Sequence, residues 1–310
     1  MFDGAVNLIE RSRKITLLTH KDADGDALGS ILSFALALSH KNYQSYPFLS
    51  DKVSSNFLFL PGVKMLDKKF NPASDLLIFL DCADFKRGDF PGEIKKLIDR
   101  IPSILFDHHP VGDLSHYVQY KIQNSESSAT AELIYNFLPE LGVEIDKDIA
   151  TNLLVGILTD TNSFQNSNTS QKTFEAASRL ISSGARIETV SENIFYQKSY
   201  GALKLWGRAM KRIFYNKKYR ILTSIIYEQD LKECNVDKDA ASGIANFLNL
   251  NVSGEADTVL FLLALSDKIK GSLRTNKDNI DVGRLAKILG GGGHKKAAGF
   301  EITGELRIKS

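Results

Sequence analysis

The sequence predicts an α/β protein: an N-terminal domain on a mostly parallel sheet flanked by helices, a helical connector, and a smaller C-terminal α/β domain. Three observations carry this. Short apolar runs alternate with amphipathic segments through the first half, the pattern of βαβ units around a parallel sheet. Histidines and aspartates cluster just after those runs. Beyond residue 217 the pattern changes to β-branched and aliphatic runs that end in a glycine-rich turn.

Residues 15–19 read as a buried strand and 26–41 as a helix with a small, apolar face. Residues 76–80 and 103–106 are two more buried strands, because turn residues flank them and favour strands over helix fragments. Helices are expected over 126–138, 147–158 and 171–183, the last closed by Gly184. A fairly polar helical stretch, 187–212, contains Trp206 and sets the domain limits: 1–186, a connector at 187–216, and 217–310. In the last domain, strands are expected over 219–227, 258–265 and 268–275, then a helix over 282–289 and four glycines.

Composition narrows the function classes. Of 310 residues, 43% are hydrophobic and 25% charged, as in soluble globular proteins. No window approaches about 18 consecutive apolar residues, and the N-terminus lacks a basic then apolar leader, so a cytoplasmic protein without a membrane partner is expected. The two cysteines, Cys82 and Cys234, lie far apart in unlike contexts and fit a reducing compartment. Cys82 follows Asp81 but reads as a small apolar neighbour. Residues 217–310 carry 15 basic and 12 acidic side chains and the remainder 24 and 25, too small an asymmetry to argue for a nucleic-acid groove.

Each acidic or histidine cluster follows an apolar run at the carboxyl edge of the expected sheet, where open α/β sheets bind ligands. The clusters are His20-Lys21-Asp22-Ala23-Asp24-Gly25-Asp26, Asp81-Cys82-Ala83-Asp84, and Asp107-His108-His109-Pro110; Asp160 ends an apolar helix. Imidazole with carboxylate, without thiolate, suits manganese, iron or zinc. Asp24 and Asp26 can serve different ions if Gly25 permits a tight turn. A bridging carboxylate would hold two cations at the ~3.5–4 Å spacing of two-metal hydrolases. The Asp22-x-Asp24-x-Asp26 spacing suggests a calcium loop only superficially, since the later positions of that motif do not follow. His40 and His116 fit no cluster.

Gly290-Gly291-Gly292-Gly293-His294 precedes Lys295-Lys296-Ala297-Ala298-Gly299. Backbone without side chains can approach a phosphate closely and offer it several N–H groups. No Gly-Lys-Ser/Thr follows, so this is not a P-loop. Arg274 ends an expected strand, and its fork could grip a phosphate bidentately.

Together these residues resemble the DHH phosphoesterase superfamily, in the subgroup with a second, DHHA1-type domain. The carriers are His20-x-x-x-Asp24-Gly25-Asp26-Ala27-x-Gly29-Ser30, Asp81, Asp107-His108-His109-Pro110, Gly156-Ile157-x-x-Asp160-Thr161, and Gly291-Gly292-Gly293-His294-x-x-Ala297-Ala298-Gly299. They span nearly the whole chain in order, and the chain is similar to stand-alone bacterial bifunctional oligoribonuclease and pAp phosphatase (nanoRNase) proteins. The resemblance implies that His20, Asp24 and Asp81 hold one metal, and Asp26, Asp81, His108 and Asp160 the other, with Asp81 bridging. It places His109 near the scissile phosphate and gives Asp107 the task of orienting a histidine. It implies two Mn²⁺ ions, with Mg²⁺ or Co²⁺ as substitutes, and a homodimer through the first domain. Arg274, His294 and the turn Gly291, Gly292, Gly293 would receive the substrate's terminal phosphate across an interdomain cleft, near Ser127, Ser128 and Thr130. Two departures stand out: Ala23 where the family commonly has Pro, and Asn162 where it often has Gly, which Asn replaces with tolerance for a left-handed backbone.

The expected activity is hydrolysis of very short oligoribonucleotides to mononucleotides, with pAp as a second substrate. The alternative within the same chemistry is a cyclic di-AMP or linear pApA hydrolase. From another class, a catalytically silent nucleotide-binding protein would have lost metal ligands, and every expected ligand is present.

Overall fold

The computed structural model describes residues 2–110, 112–196, 199–252, 254–304 and 306. The chain forms two compact units, 1–196 and 197–310.

In the first unit, α1 (Asp3–Arg11) leads into five strands: β1 (Lys14–Leu18), β2 (Gln44–Phe48), β3 (Leu76–Leu80), β4 (Ser103–Asp107) and β5 (Tyr120–Gln123). They pair in the order β2-β1-β3-β4-β5, and every pairing is parallel. Helix α2 (Gly25–His40) links β1 to β2. The short helices α3 (Phe85–Gly88) and α4 (Gly92–Leu97) lie between β3 and β4; α5 (Thr130–Phe137), α6 (Lys147–Asp160), α7 (Gln171–Ser182) and α8 (Ile187–Ser191) follow β5.

Period-two alternation splits the sheet's side chains between two cores. Leu76, Ile78, Leu80, Ile104 and Phe106 pack with α2, α5 and α6. Leu77, Phe79 and Leu105 pack with Ile94 and Ile98 on the other face. Strands buried on both faces need continuous apolar runs, which is what 76–80 and 103–106 supply. On the larger face, Phe34, Phe106 and Phe137 meet at ring-centroid distances of 4.9–5.8 Å.

The strand order places a topological switch between β1 and β3, since β1 connects outward to β2 while the chain returns on its other side. In doubly wound sheets that crevice, at the carboxyl edge, binds ligands. His20 follows β1 and Asp81 follows β3.

The helix expected at 126–138 begins at Thr130 instead. A turn in which Ser127 N–H donates to Asn124 O (3.2 Å) occupies the preceding residues. Helix α7 ends as expected, with Gly184 at φ +91°. The stretch 187–216 is divided: α8 and a π-helical turn, Glu192–Tyr196, belong to the first unit, whereas α9 (Tyr200–Lys211) packs Leu205 and Ala209 into the second. Among the described residues no helix is long and apolar enough to cross a membrane.

The second unit carries β6 (Phe214–Asn216), β7 (Ile221–Tyr227), α10 (Glu228–Cys234), α11 (Ile244–Asn251), β8 (Thr258–Ala264), β9 (Lys268–Arg274), α12 (Val282–Ile288), β10 (Gly292–Gly293) and β11 (Ala297–Thr303). Its mixed sheet runs β10-β11-β9-β8-β7-β6, with β7 and β8 parallel and the other pairs antiparallel.

Candidate metal centre

The centre is built from the loops at the carboxyl edge of the first sheet. His20 is 2% exposed, and its Nδ1 donates to Lys21 O at 2.7 Å. His108, equally buried, places Nδ1 3.2 Å from Ser127 O. A carbonyl oxygen only accepts, so Nδ1 carries a proton in both rings and Nε2 is turned toward the centre. Each Nε2 faces carboxylates: His20 Nε2 is 3.4 Å from Asp81 Oδ2, and His108 Nε2 is 3.4 Å from Asp160 Oδ2 and 3.8 Å from Asp26 Oδ2. An imidazole nitrogen and a carboxylate oxygen placed this way can share one divalent cation between them.

Two donor triads share one residue. Ligand atoms of His20, Asp24 and Asp81 lie within 4.8 Å of one another, as do those of Asp26, Asp81 and His108. Asp160, at the end of α6, joins through His108. Asp81 is 1% exposed, with φ +56° directly after β3. Its Oδ1 accepts from Thr130 Oγ1 at 3.0 Å, while its Oδ2 is buried with no hydrogen bond from any described residue. Such an oxygen in a His/Asp donor set, with no thiolate near, fits a hard or borderline divalent ion. Burial pushes the Cys82 thiol up, and its Sγ donates to Asp84 O at 3.4 Å, so it serves neither as ligand nor nucleophile.

The electrostatics point the same way. Burial first, then the charges of Asp81, Asp160 and Asp24, raises the Asp26 carboxyl well above the usual range. Asp160 is pushed up to about 6, chiefly by burial, with Asp24 and Asp81 adding to it and His108 opposing. Burial also pushes Asp81 up, but the imidazoles of His109 and His20 outweigh it and hold that carboxyl well below its ordinary value. Four carboxylates crowded together need positive charge to stay ionised.

Backbone geometry explains how the carboxylates are held. Asp24 caps α2, accepting from the N–H groups of Asp26 and Ala27 at 3.1 Å. Gly25 has no left-handed backbone; its role is close approach, since a Cβ there would lie 2.4 Å from Thr159 Oγ1 beside Asp160. Asp26 accepts from Thr130 N–H at 2.7 Å and Ala131 N–H at 2.9 Å, at the N-terminus of α5. Asn162 does take up a left-handed φ of +48°, followed by Ser163 and Phe164 at +56° and +65°.

Asp107 orients His109: its Oδ1 accepts from both His109 N–H (2.7 Å) and His109 Nδ1 (2.8 Å). Their donors with Asp81 form a third close group, but the His109 ring nitrogen is occupied by this hydrogen bond. Ser128 and Thr130, expected near substrate, lie fully buried beneath the site. Ser128 Oγ donates to Glu132 and Thr130 Oγ1 to Asp81, so both brace carboxylates. Glu132, buried at 3% exposure and also bonded by Thr173 Oγ1, escaped sequence reasoning, as did Arg87. Arg87 Nη1 is 3.2 Å from His109 Nε2, and Nη2 is 3.2 Å from His20 Nε2.

In the second unit the glycine turn is part of a hairpin: Gly292 and Gly293 pair with Gly299 and Ala298. His294 N–H donates to Ala297 O at 2.8 Å. Arg274 is in register with Ala297 and donates Nε–H to Asn246 Oδ1, so it shares that end of the sheet with His294. A Cβ on Gly291 would lie 2.1 Å from Gly299 O, whereas one on Gly292 would meet nothing within 4 Å.

Residues 14–157 match the DHH family, N-terminal domain, and residues 219–310 match the DHHA1 domain. The bifunctional oligoribonuclease and PAP phosphatase NrnA of Thermus thermophilus is 29% identical over 294 residues, spanning 94% of this chain and 84% of its own. The protein of that name from Mycoplasma genitalium is 27% identical over 313 residues, 98% of this chain and 93% of its own. An exopolyphosphatase-related protein from Bacteroides fragilis has the same fold, with a TM-score of 0.88 at 24% identity over 98% of this chain and 92% of that one.

Proposed function

Because the chain belongs to the DHH/DHHA1 phosphoesterase family, we propose that it is a manganese-dependent two-metal hydrolase of very short oligoribonucleotides that also converts pAp to AMP. The observation that carries the two-metal reading is the sharing of Asp81 by two His/Asp triads. Likeness to the two NrnA proteins over nearly their whole lengths supports the substrate class. His20, Asp24 and Asp81 would hold one ion, and Asp26, Asp81, His108 and Asp160 the other. Bound divalent ions supply Lewis acidity toward phosphoryl oxygens and acidify water.

The chain's own residues do the rest. Asp107 fixes the His109 ring, and His109 addresses the scissile phosphate, donating from Nε2 to one of its oxygens. Arg274, His294 and the N–H groups of the glycine turn hold a terminal phosphate. A grip on a substrate's terminal phosphate would favour short substrates.

Turnover of a 5′-phosphorylated diribonucleotide, pAp and cyclic di-AMP, compared side by side with Mn²⁺, tests this. The first two should be hydrolysed and cyclic di-AMP left largely intact; preference for cyclic di-AMP would reverse the substrate assignment.

A further inference from the structure

We propose that Arg87 is a catalytic residue that receives the non-bridging oxygens of the scissile phosphate; this rests on the phosphoesterase reading above. Its guanidinium forks between two imidazoles, with Nη1 3.2 Å from His109 Nε2 and Nη2 3.2 Å from His20 Nε2. His109 Nδ1 donates to Asp107, which turns its Nε2 toward the Arg87 guanidinium. The fork is thereby aimed along the line joining a candidate metal ligand to the histidine placed at the scissile phosphate. Helix α3 is anchored to the same loop as His20, because Lys21 N–H donates to Arg87 O at 3.1 Å.

Two features favour a substrate over a purely structural role. Arg87 is exposed as a residue, yet its guanidinium reaches inward to two histidines of the centre. With the His20 nitrogen committed to a metal ion, the Nη2 that faces it would keep its N–H groups for an anion. A planar fork matches two phosphoryl oxygens in a way a lysine ammonium does not. The charge that builds on those oxygens in the transition state is what such a donor stabilises.

The scissile phosphoryl group is common to diribonucleotide and pAp, so losing Arg87 should slow both equally. Variants of Arg274 or His294 should instead change their ratio. The experiment compares the full-length parent with Arg87→Lys and Arg87→Met at saturating Mn²⁺, together with calorimetric Mn²⁺ affinity and thermal unfolding. Arg87→Met should lose about 10²–10³-fold in kcat on both substrates. Its Mn²⁺ affinity should stay within about threefold of the parent's, its melting temperature should be unchanged, and millimolar guanidinium should restore part of its rate. Arg87→Lys should fall in between. Parental kcat in Arg87→Met overturns the assignment, as does a loss matched by weaker Mn²⁺ binding and cured by more Mn²⁺. A parent inert on both substrates overturns the functional reading, and this assignment with it.

Discussion

The Asp26 carboxylate and the Thr130 backbone amide meet at 2.7 Å across 104 positions of sequence. This contact ties the first turn of α2 to the N-terminus of α5, and Thr130 Oγ1 reaches on to Asp81. One residue thus braces a carboxylate of each triad.

Thr130→Val keeps the backbone amide but removes the Oγ1 donor to Asp81. Partners that orient metal ligands typically contribute 10–100-fold in affinity. Mn²⁺ affinity should therefore weaken by about 10-fold or more, while the Asp26 contact and the fold persist. Calorimetric titration checks this, and unchanged affinity would show that the hydroxyl does not position Asp81.

Gly156→Ala places a Cβ 2.5 Å from Ala131 Cβ and 2.7 Å from Asp26 Oδ1. Alanine favours a helix over glycine by about 1 kcal/mol, and overpacking costs about 1–3 kcal/mol. Ala131 Cβ is fixed by its backbone and the Asp26 carboxylate is held by two backbone N–H groups, so the clash should prevail. Both melting temperature and turnover should fall, because Asp26 is displaced; a stabilised, fully active variant would refute the close packing of α6 on α2 and α5.

Asp230 gives a pH dependence in the second unit. Burial pushes its carboxyl up, but Arg212, Tyr227 N–H and Arg208 outweigh it and hold the pKa at about 2. A depressed folded-state value stabilises fully above the unfolded value of about 3.9 and is lost as pH falls toward 2. With partners about one-third exposed, the contribution is about 1–2 kcal/mol. Asp230→Asn should lower denaturation midpoints at pH 7, with the gap to the parent closing near pH 2; an equal gap at both would remove the charge from the explanation.

Gly291→Ala and Gly292→Ala separate folding from ligand binding in the hairpin. The first puts a Cβ 2.1 Å from Gly299 O and should destabilise the second unit; the second meets nothing within 4 Å and should fold normally. If the turn holds a phosphate, Gly292→Ala should raise KM several-fold at an unchanged melting temperature. An unaltered KM would leave these glycines to hairpin packing alone.

Legibility in the sequence followed burial and locality. Strands β3 and β4 are apolar throughout and announce themselves, as do α7 with its Ser170–Thr173 capping box and Gly184. β2 escaped because it is an edge strand with an exposed start and Pro47, and β5 because it is four residues on the other edge. β10 is two glycines with no side chains to read. The His and Asp clusters were legible because each follows a strand. Arg87 on a four-residue helix and Glu132 inside α5 were not, because only tertiary contacts distinguish them from ordinary surface and helix residues.

Manganese titration of metal-free protein, with diribonucleotide turnover followed at each step, tests two-metal hydrolysis most directly. Two ions should bind per chain, turnover should rise as the second site fills, and Asp81→Ala should abolish both, because Asp81 belongs to each triad. Full activity with one ion per chain, or parental turnover by Asp81→Ala, would contradict it.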